Sequence, residues 1–257
     1  RMRCLLLLML ARTVQAFAPN LRSIPLQLVP SKTFVASRSA LRTRPLSMAA
    51  PGQDLAELFD VYKPPASISS FRGEPEKAGI SKQRKLVHTQ GDWHRAIHLW
   101  LYDLQGNLII QQRSEGKDTF PGKWDVSIAG HVSSGDSVIE TAMKEAKEEL
   151  GLDVEEEQLE YLGTIATSMR GSSPITGDFL CNEYKDIFLL KYDGSLEDLK
   201  FAPEEVQAVS RVGWKTLQEQ LEQQIGPEQQ SVDGPYIPRP RHYLDLLFGA
   251  LRERIRS

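Results

Sequence analysis

Acidic side chains are missing from the start of this sequence: residues 1–53 contain no Asp or Glu, but eight Lys and Arg. Taking those eight from the 31 basic residues leaves 23 against 34 acids, so the rest of the chain carries a net −11. A body that acidic lacks the basic footprint needed to replace phosphate counterions, which argues against a nucleic acid polymer as partner. Cysteine is nearly absent as well. Cys4 falls in the first apolar run, so a processed chain would keep Cys181 alone. That excludes an internal disulfide and leaves Cys181 as a small, partly buried residue, with no cysteine-built zinc site. Long apolar runs are lacking: Cys4–Ala11 is eight residues, where a spanning helix needs about 20. No internal repeat is present. The remaining composition, 40% hydrophobic and 25% charged over 257 residues, is that of a globular protein with enough apolar side chains for one core.

What the N-terminus does contain is an address. Met2-Arg3, the run Cys4–Ala11 and the small residue of Val14-Gln15-Ala16 give residues 1–16 the form of a signal peptide. Residues 17–53 are acid-free, rich in Ser and Thr, and dotted with Arg22, Lys32, Arg38, Arg42 and Arg44, the composition of a transit segment. The two joined through Ala16-Phe17-Ala18-Pro19 resemble the two-part presequence of algae with secondary plastids. That resemblance implies a plastid location, with secretion as the alternative and no membrane association once the presequence is removed.

Residues 54–92 are read as an N-terminal extension, 93–225 as the main domain, and 226–257 as a proline-rich linker followed by a last helix. Leu55–Tyr62 suits a short strand or helix, and a polar stretch then runs to His88. Strands are expected at Ala96–Tyr102, Leu108–Gln112, Lys123–Ala129, Tyr161–Ser168, Asp186–Tyr192 and Val206–Trp214. Helices are expected at Ser137–Leu150, Thr216–Gln224 and His242–Arg254. Ser137 with Glu140 makes a capping box, and Gly151 stands where a helix ends. The pattern is that of one α/β domain with a mixed sheet.

The chemistry is concentrated in Gly130–Leu152. At about 100° per residue, Val138, Ile139, Ala142, Met143, Ala146 and Leu150 share an apolar arc. Glu145, Glu148 and Glu149, at i, i+3 and i+4, share an arc beside it. Three carboxylates so spaced repel one another unless a cation neutralises them, and Mg²⁺ takes oxygen ligands jointly with phosphates. The same residues could also form a solvated face with i,i+4 pairs such as Lys144–Glu148.

The wider segment resembles the Nudix box. Gly130, Glu145, Ala146, Glu148, Glu149, Gly151 and Leu152 fall in register, while Asp136 stands for the first glutamate and Lys144 for the arginine. The resemblance implies a Nudix-type α/β/α sandwich with a central mixed sheet. It also implies metal-dependent hydrolysis of a diphosphate linkage, in a nucleoside diphosphate derivative or another small organic diphosphate. Glu145, Glu148 and Glu149 would hold Mg²⁺ or Mn²⁺ and carry catalysis. A lysine lacks the fork that holds a carboxylate bidentately, so Lys144 and Asp136 leave open a non-catalytic nucleotide-binding module.

His94-Arg95-Ala96, Gln112-Arg113, Lys117, Phe120–Asp125, Ala129-Gly130-His131 and Asn182-Glu183-Tyr184 resemble the isopentenyl-diphosphate-isomerase-like branch of that superfamily. The resemblance implies Arg113 and Lys117 as diphosphate ligands, with Lys123 and Trp124 also on the substrate; an exposed loop counter-charged by Glu115 and Asp118 is the alternative for the first two. It implies a second metal site at His88, His94, His131 and Glu183, with Cys181 replacing one partner; hydrogen-bonded histidines are the alternative. The isomerases carry a catalytic cysteine where Ala129 stands, and alanine cannot move a proton, so isomerase chemistry is disfavoured. Selectivity is expected in loops such as 171–179 and around Phe120 and Trp124, while Trp100, Trp214 and Phe179 are read as core.

Overall fold

The protein, seen in a computed structural model, is described over residues 29–30, 56–117, 119–173, 177–225 and 234–255. The expected signal and transit segments lie outside the described residues apart from the backbone of 29–30, as does linker stretch 226–233. In chain order come β1 (Val29–Pro30), β2 (Leu58–Tyr62), β3 (Lys77–Gln83), α1 (Arg84–Gln90), β4 (Trp93–Tyr102), β5 (Asn107–Arg113), β6 (Trp124–Asp125) and β7 (Ile128–His131). There follow α2 (Val138–Leu150), β8 (Leu159–Ser173), β9 (Gly177–Lys191), β10 (Val206–Gly213), α3 (Trp214–Gln223) and α4 (Arg241–Arg254).

Ten strands join one mixed sheet organised about β4. It pairs in parallel with β9 along its whole length, and antiparallel with β2, β7 and β5 in turn along its other edge. Side chains alternate across a strand, and β4 uses both faces. Ile97, Leu99 and Leu101 pack with Ala142, Ala146 and Leu150 of α2. Trp100 packs with Leu217 and Leu221 of α3 and with Leu244, Leu247 and Phe248 of α4. Strand β9 alternates in step, Phe188 and Leu190 against Ile187 and Leu189. The result is the expected α/β/α sandwich.

Helix α2 starts and stops as its sequence dictates. Ser137 Oγ accepts from the Glu140 N–H at 3.1 Å, and Glu140 Oε2 accepts from the Ser137 N–H at 2.9 Å. Gly151 ends the helix at φ 70°, in contact with Lys200, where a side chain would be strained.

The polar stretch after Tyr62 departs from expectation, since it holds β3 and α1. Every residue of β3 except Lys82 is exposed and α1 buries only Val87, so neither shows apolar periodicity. Pairing with β2 and docking on the sheet make them instead. A buried ion network ties this extension to the core. Arg95 on β4 donates to Asp186 on β9 at 2.6 and 2.9 Å, and also to Glu74 of the extension, while Thr164 donates to Asp186. Strands β8 and β9 run well past their expected ends into one long hairpin, and Trp214, expected to close a strand, opens α3.

Under α4, the Tyr243 hydroxyl accepts from Trp100 Nε1 at 2.7 Å and sits 2.8 Å from His98 Nδ1, all three groups buried. Tyr243→Phe should therefore destabilise the protein by about 1–3 kcal/mol, because a buried indole N–H loses its acceptor. Denaturant unfolding of the two proteins measures this; an unchanged midpoint would contradict it.

Candidate active site

Helix α2 lies over the short strand β7, and that contact builds the glutamate platform. A Cβ placed on Gly130 would fall 2.2 Å from Cδ of Glu145, so only glycine lets this carboxyl sit against the strand. One residue back, the Ala129 N–H donates to Glu149 Oε2 at 3.0 Å. Gln111, buried on β5, donates to the same oxygen at 3.0 Å. Glu148 is exposed one turn away. All three glutamates line one open cleft of about 1210 Å³, and Lys144 joins them at its edge. Asp136 is exposed in the turn before α2, where its N–H donates to Ser133, and does not reach the cleft.

The platform is short of positive charge. Burial pushes the Glu145 carboxyl up to about 7, with Glu148 adding to the rise and Lys144 opposing it. Burial pushes Glu149 up to about 8, with Glu145 adding; the Ala129 N–H and Lys117 pull it back. A hard divalent cation meets that need, so the donor set fits Mg²⁺ or Mn²⁺.

Arg113 and Lys117 line the same cleft. The counter-charges for this loop come from distant elements. Lys117 pairs with Glu205, and Arg113 Nη1 lies 3.7 Å from Asp125 while its Nε donates to the Thr119 carbonyl at 3.0 Å. Phe120, between them and Gly122, holds φ 50°, rare for a non-glycine residue, and faces the cleft.

A second cluster occupies the cleft beyond Ala129. Ligand atoms of His88, His94, His131 and Cys181 all lie within 4.8 Å of one another. They come from α1, β4, β7 and β9. Nδ1 of His88 bonds the Arg84 carbonyl at 2.8 Å and Nδ1 of His94 bonds the Asp92 carbonyl at 3.1 Å, so both rings carry their proton there. The buried Nε2 atoms of His94 and His131 have no hydrogen-bond partner among the described residues. Burial pushes His94 down to about 4 and His131 well below its usual range, which keeps both neutral. Glu183 stands 3.2 Å from His131 Nε2 and 3.8 Å from His94 Nε2. Burial opposes its ionisation, but the Lys185 ammonium at 2.7 Å overcomes that and holds it ionised. The ring of Phe59 stacks on His94 and His131. Orphaned imidazole nitrogens converging on a carboxylate and a thiol fit a transition metal. Cys181, expected to replace one partner of such a site, places its thiol within 4.8 Å of the three imidazole ligand atoms.

Two expected substrate residues lie elsewhere. Trp124 turns into the core beneath α3 and α4, and Lys123 donates to the Gly234 carbonyl, so neither lines the cleft. Phe179, read as core, does line it. Residues of the extension, of the stretch before α4 and of the first turn of α4 were not anticipated: Glu57, Arg84, Arg239 and His242 all face the cleft. No local motif marks them.

The NUDIX domain model matches residues 92–233, more than half of the chain. The chain belongs to the NUDIX family. This Nudix chain is similar to Nudix hydrolase 3 of Arabidopsis thaliana, 35% identical over 166 residues, 63% of the chain. The match spans only 20% of that relative's length. An uncharacterized Nudix hydrolase of Clostridium acetobutylicum is 33% identical over 155 residues, 59% of the chain and 72% of the relative. An isopentenyl-diphosphate Delta-isomerase of Serratia proteamaculans is 31% identical over 139 residues, 54% and 70% of the two. The chain thus lies in the isomerase-like branch, with Ala129 in place of that branch's catalytic cysteine.

The raised carboxyls make a pH prediction. Folded Glu145 and Glu149 hold protons up to about 7 and 8, whereas the unfolded chain releases them near 4.5. The folded state therefore binds more protons across that window, and the metal-free protein should lose stability as pH rises from about 5 to about 8. Excess Mg²⁺ should flatten that slope, because it binds the ionised pair. Thermal unfolding with chelator and with Mg²⁺ across this range measures it; equal slopes would contradict it.

Proposed function

We propose that this protein is a divalent-metal-dependent hydrolase that cleaves a diphosphate linkage in a nucleoside diphosphate derivative or another small organic diphosphate. The observation that carries this reading is the pair of carboxyls, Glu145 and Glu149, packed on β7 short of positive charge, across one cleft from Arg113 and Lys117. Glu145, Glu148 and Glu149 would hold Mg²⁺ or Mn²⁺. When bound, the metal supplies Lewis acidity toward phosphoryl oxygens and lowers the pKa of the attacking water. Arg113 and Lys117 bind the diphosphate oxygens and offset charge that builds on them in the transition state. Gln111 and the Ala129 N–H fix one oxygen of Glu149, which sets the direction of the other.

The His88, His94, His131 and Cys181 group, with Glu183, supports a second metal in the same cleft. It also keeps an isomerase in view, since a similar protein bears that name. Ala129 weighs against it: its side chain points to the sheet face shared with His131, where the branch places a proton carrier.

The test is the purified protein with Mg²⁺ or Mn²⁺ against nucleoside diphosphates, sugar nucleotides, and prenyl and thiamine diphosphates, with metal content measured alongside. The expected result is metal-dependent phosphate release that Glu148→Gln and Glu149→Gln each lower by about 10²-fold or more. Interconversion of the five-carbon diphosphates would favour the isomerase. Tight nucleotide binding with no turnover would favour a non-catalytic module. Zinc- or iron-free protein in which His94→Ala changes no metal content would remove the second site. For location, a plastid is proposed from the presequence; a fluorescent fusion of residues 1–53 found outside plastids would overturn that.

A further inference from the structure

Beyond the family-matched region, which stops at 233, the chain returns to the sheet before α4 begins. Residues 234–239 form a strap docked on β6 by consecutive contacts. Lys123 donates to the Gly234 carbonyl, the Trp124 N–H to the Pro235 carbonyl at 2.8 Å, and the Ile237 N–H to the Trp124 carbonyl at 2.9 Å. The last contact is an ion pair, Arg239 donating to Asp125. From the other side, Gln224 holds the Tyr236 carbonyl at 3.0 Å. Lys123 and Trp124, expected on the substrate, thus fasten the strap whose next residues wall the cleft. Ile237, Pro238, Arg239 and Pro240 all line it.

The electrostatics at this wall are unbalanced. Arg239 and Asp125 are 8% and 7% exposed. Asp125 accepts the Val126 N–H at 2.8 Å, holds Arg239, and lies 3.7 Å from Arg113 Nη1. One carboxylate therefore serves two guanidiniums, while neighbouring Lys117 is already matched by Glu205. Among the described residues, one positive charge on this largely buried wall has no directly paired carboxylate of its own, and an uncompensated ion there is costly. Tyr243 covers one face of the Arg239 guanidinium at 5.4 Å. Among the described residues Arg239 reaches no acceptor besides Asp125, so the rest of its donor fork is open to a ligand in the cleft.

We infer that Arg239 is a substrate ligand that binds, together with Arg113, a phosphoryl group of the diphosphate substrate. Asp125 is the positioning residue that sets the spacing of the two guanidiniums. The inference rests on the diphosphate reading above and adds a contact from outside the family signature. Two planar forks on one carboxylate match the oxygens of a tetrahedral phosphoryl group, and bidentate contact of this kind gives orientation as well as affinity.

The test is calorimetric titration of the full chain, in excess Mg²⁺, with methylenediphosphonate, whose P–C–P bridge is not hydrolysed. Arg239→Gln is expected to weaken binding about ten- to hundred-fold, the range of one hydrogen-bonded charge. It should raise KM on any hydrolysed substrate by a similar factor. Arg239→Lys should fall between the two. Because Arg239→Gln strands a buried carboxylate, the double variant Asp125→Asn/Arg239→Gln is measured beside it; it should keep the binding defect while recovering thermal stability. Unchanged binding in Arg239→Gln, or no binding by the unaltered protein, overturns the inference. The two readings separate cleanly. Hydrolysis with an unaltered KM in Arg239→Gln removes this inference alone, whereas Arg239-dependent binding without hydrolysis of any diphosphate removes the hydrolase reading alone.

Discussion

The bond from the Ala129 N–H to Glu149 is the constraint on which the site depends. Strand β7 is short and pairs with β4 along one edge, leaving backbone donors on the other. A buried, unpaired N–H is costly, and here a side chain of α2 meets the need. The same bond seats α2 over Gly130, and with it Glu145. Gln111 reaches the same carboxylate oxygen from β5, so two neighbouring strands fix one ligand. Backbone satisfaction and the geometry of the proposed metal platform are therefore one interaction.

From β7 the cleft runs in two directions with different chemistry. Toward α2 it offers hard carboxylate oxygens faced by arginine and lysine. Toward β9 it offers imidazole nitrogens, a carboxylate and a thiol, with two ring nitrogens lacking hydrogen-bond partners among the described residues. Ala129 and Gly130 separate these halves. A glycine there admits Glu145, and the alanine itself offers no proton-carrying group.

Local chemistry was legible in the sequence where a single element carried it. Helix α2, its caps and its glutamates follow from a 3.6-residue period with Ser137, Glu140 and Gly151 at its ends. The order of strands and helices gave an α/β domain with a mixed sheet, and the Nudix resemblance supplied the sandwich. Strand β3 and helix α1 were not legible, because their exposed sequences owe their form to pairing and docking rather than to pattern. The histidine group was legible only through the branch resemblance, because four elements brought together by the sheet have no sequence spacing to read. Lys123 and Trp124 show the same limit. In a two-residue strand nothing in the sequence says which side chain faces the cleft, and the tryptophan fell on the core side.

The extension before β4 has a practical consequence for the boundaries of the folding unit. His88, Phe59, Glu57 and Arg84 precede residue 92, and Arg239 and His242 follow residue 233. An excised 92–233 fragment would contain every residue of the Nudix signature, yet it would lack one imidazole of the histidine cluster, the ring stacked upon it and a whole wall of the cleft. It would also expose the faces that Glu74 and α4 now cover. Expressed alone, it would keep the signature with part of the cleft wall missing. The stretch matched by the family model and the stretch that walls the cleft are, in this chain, different lengths of polypeptide.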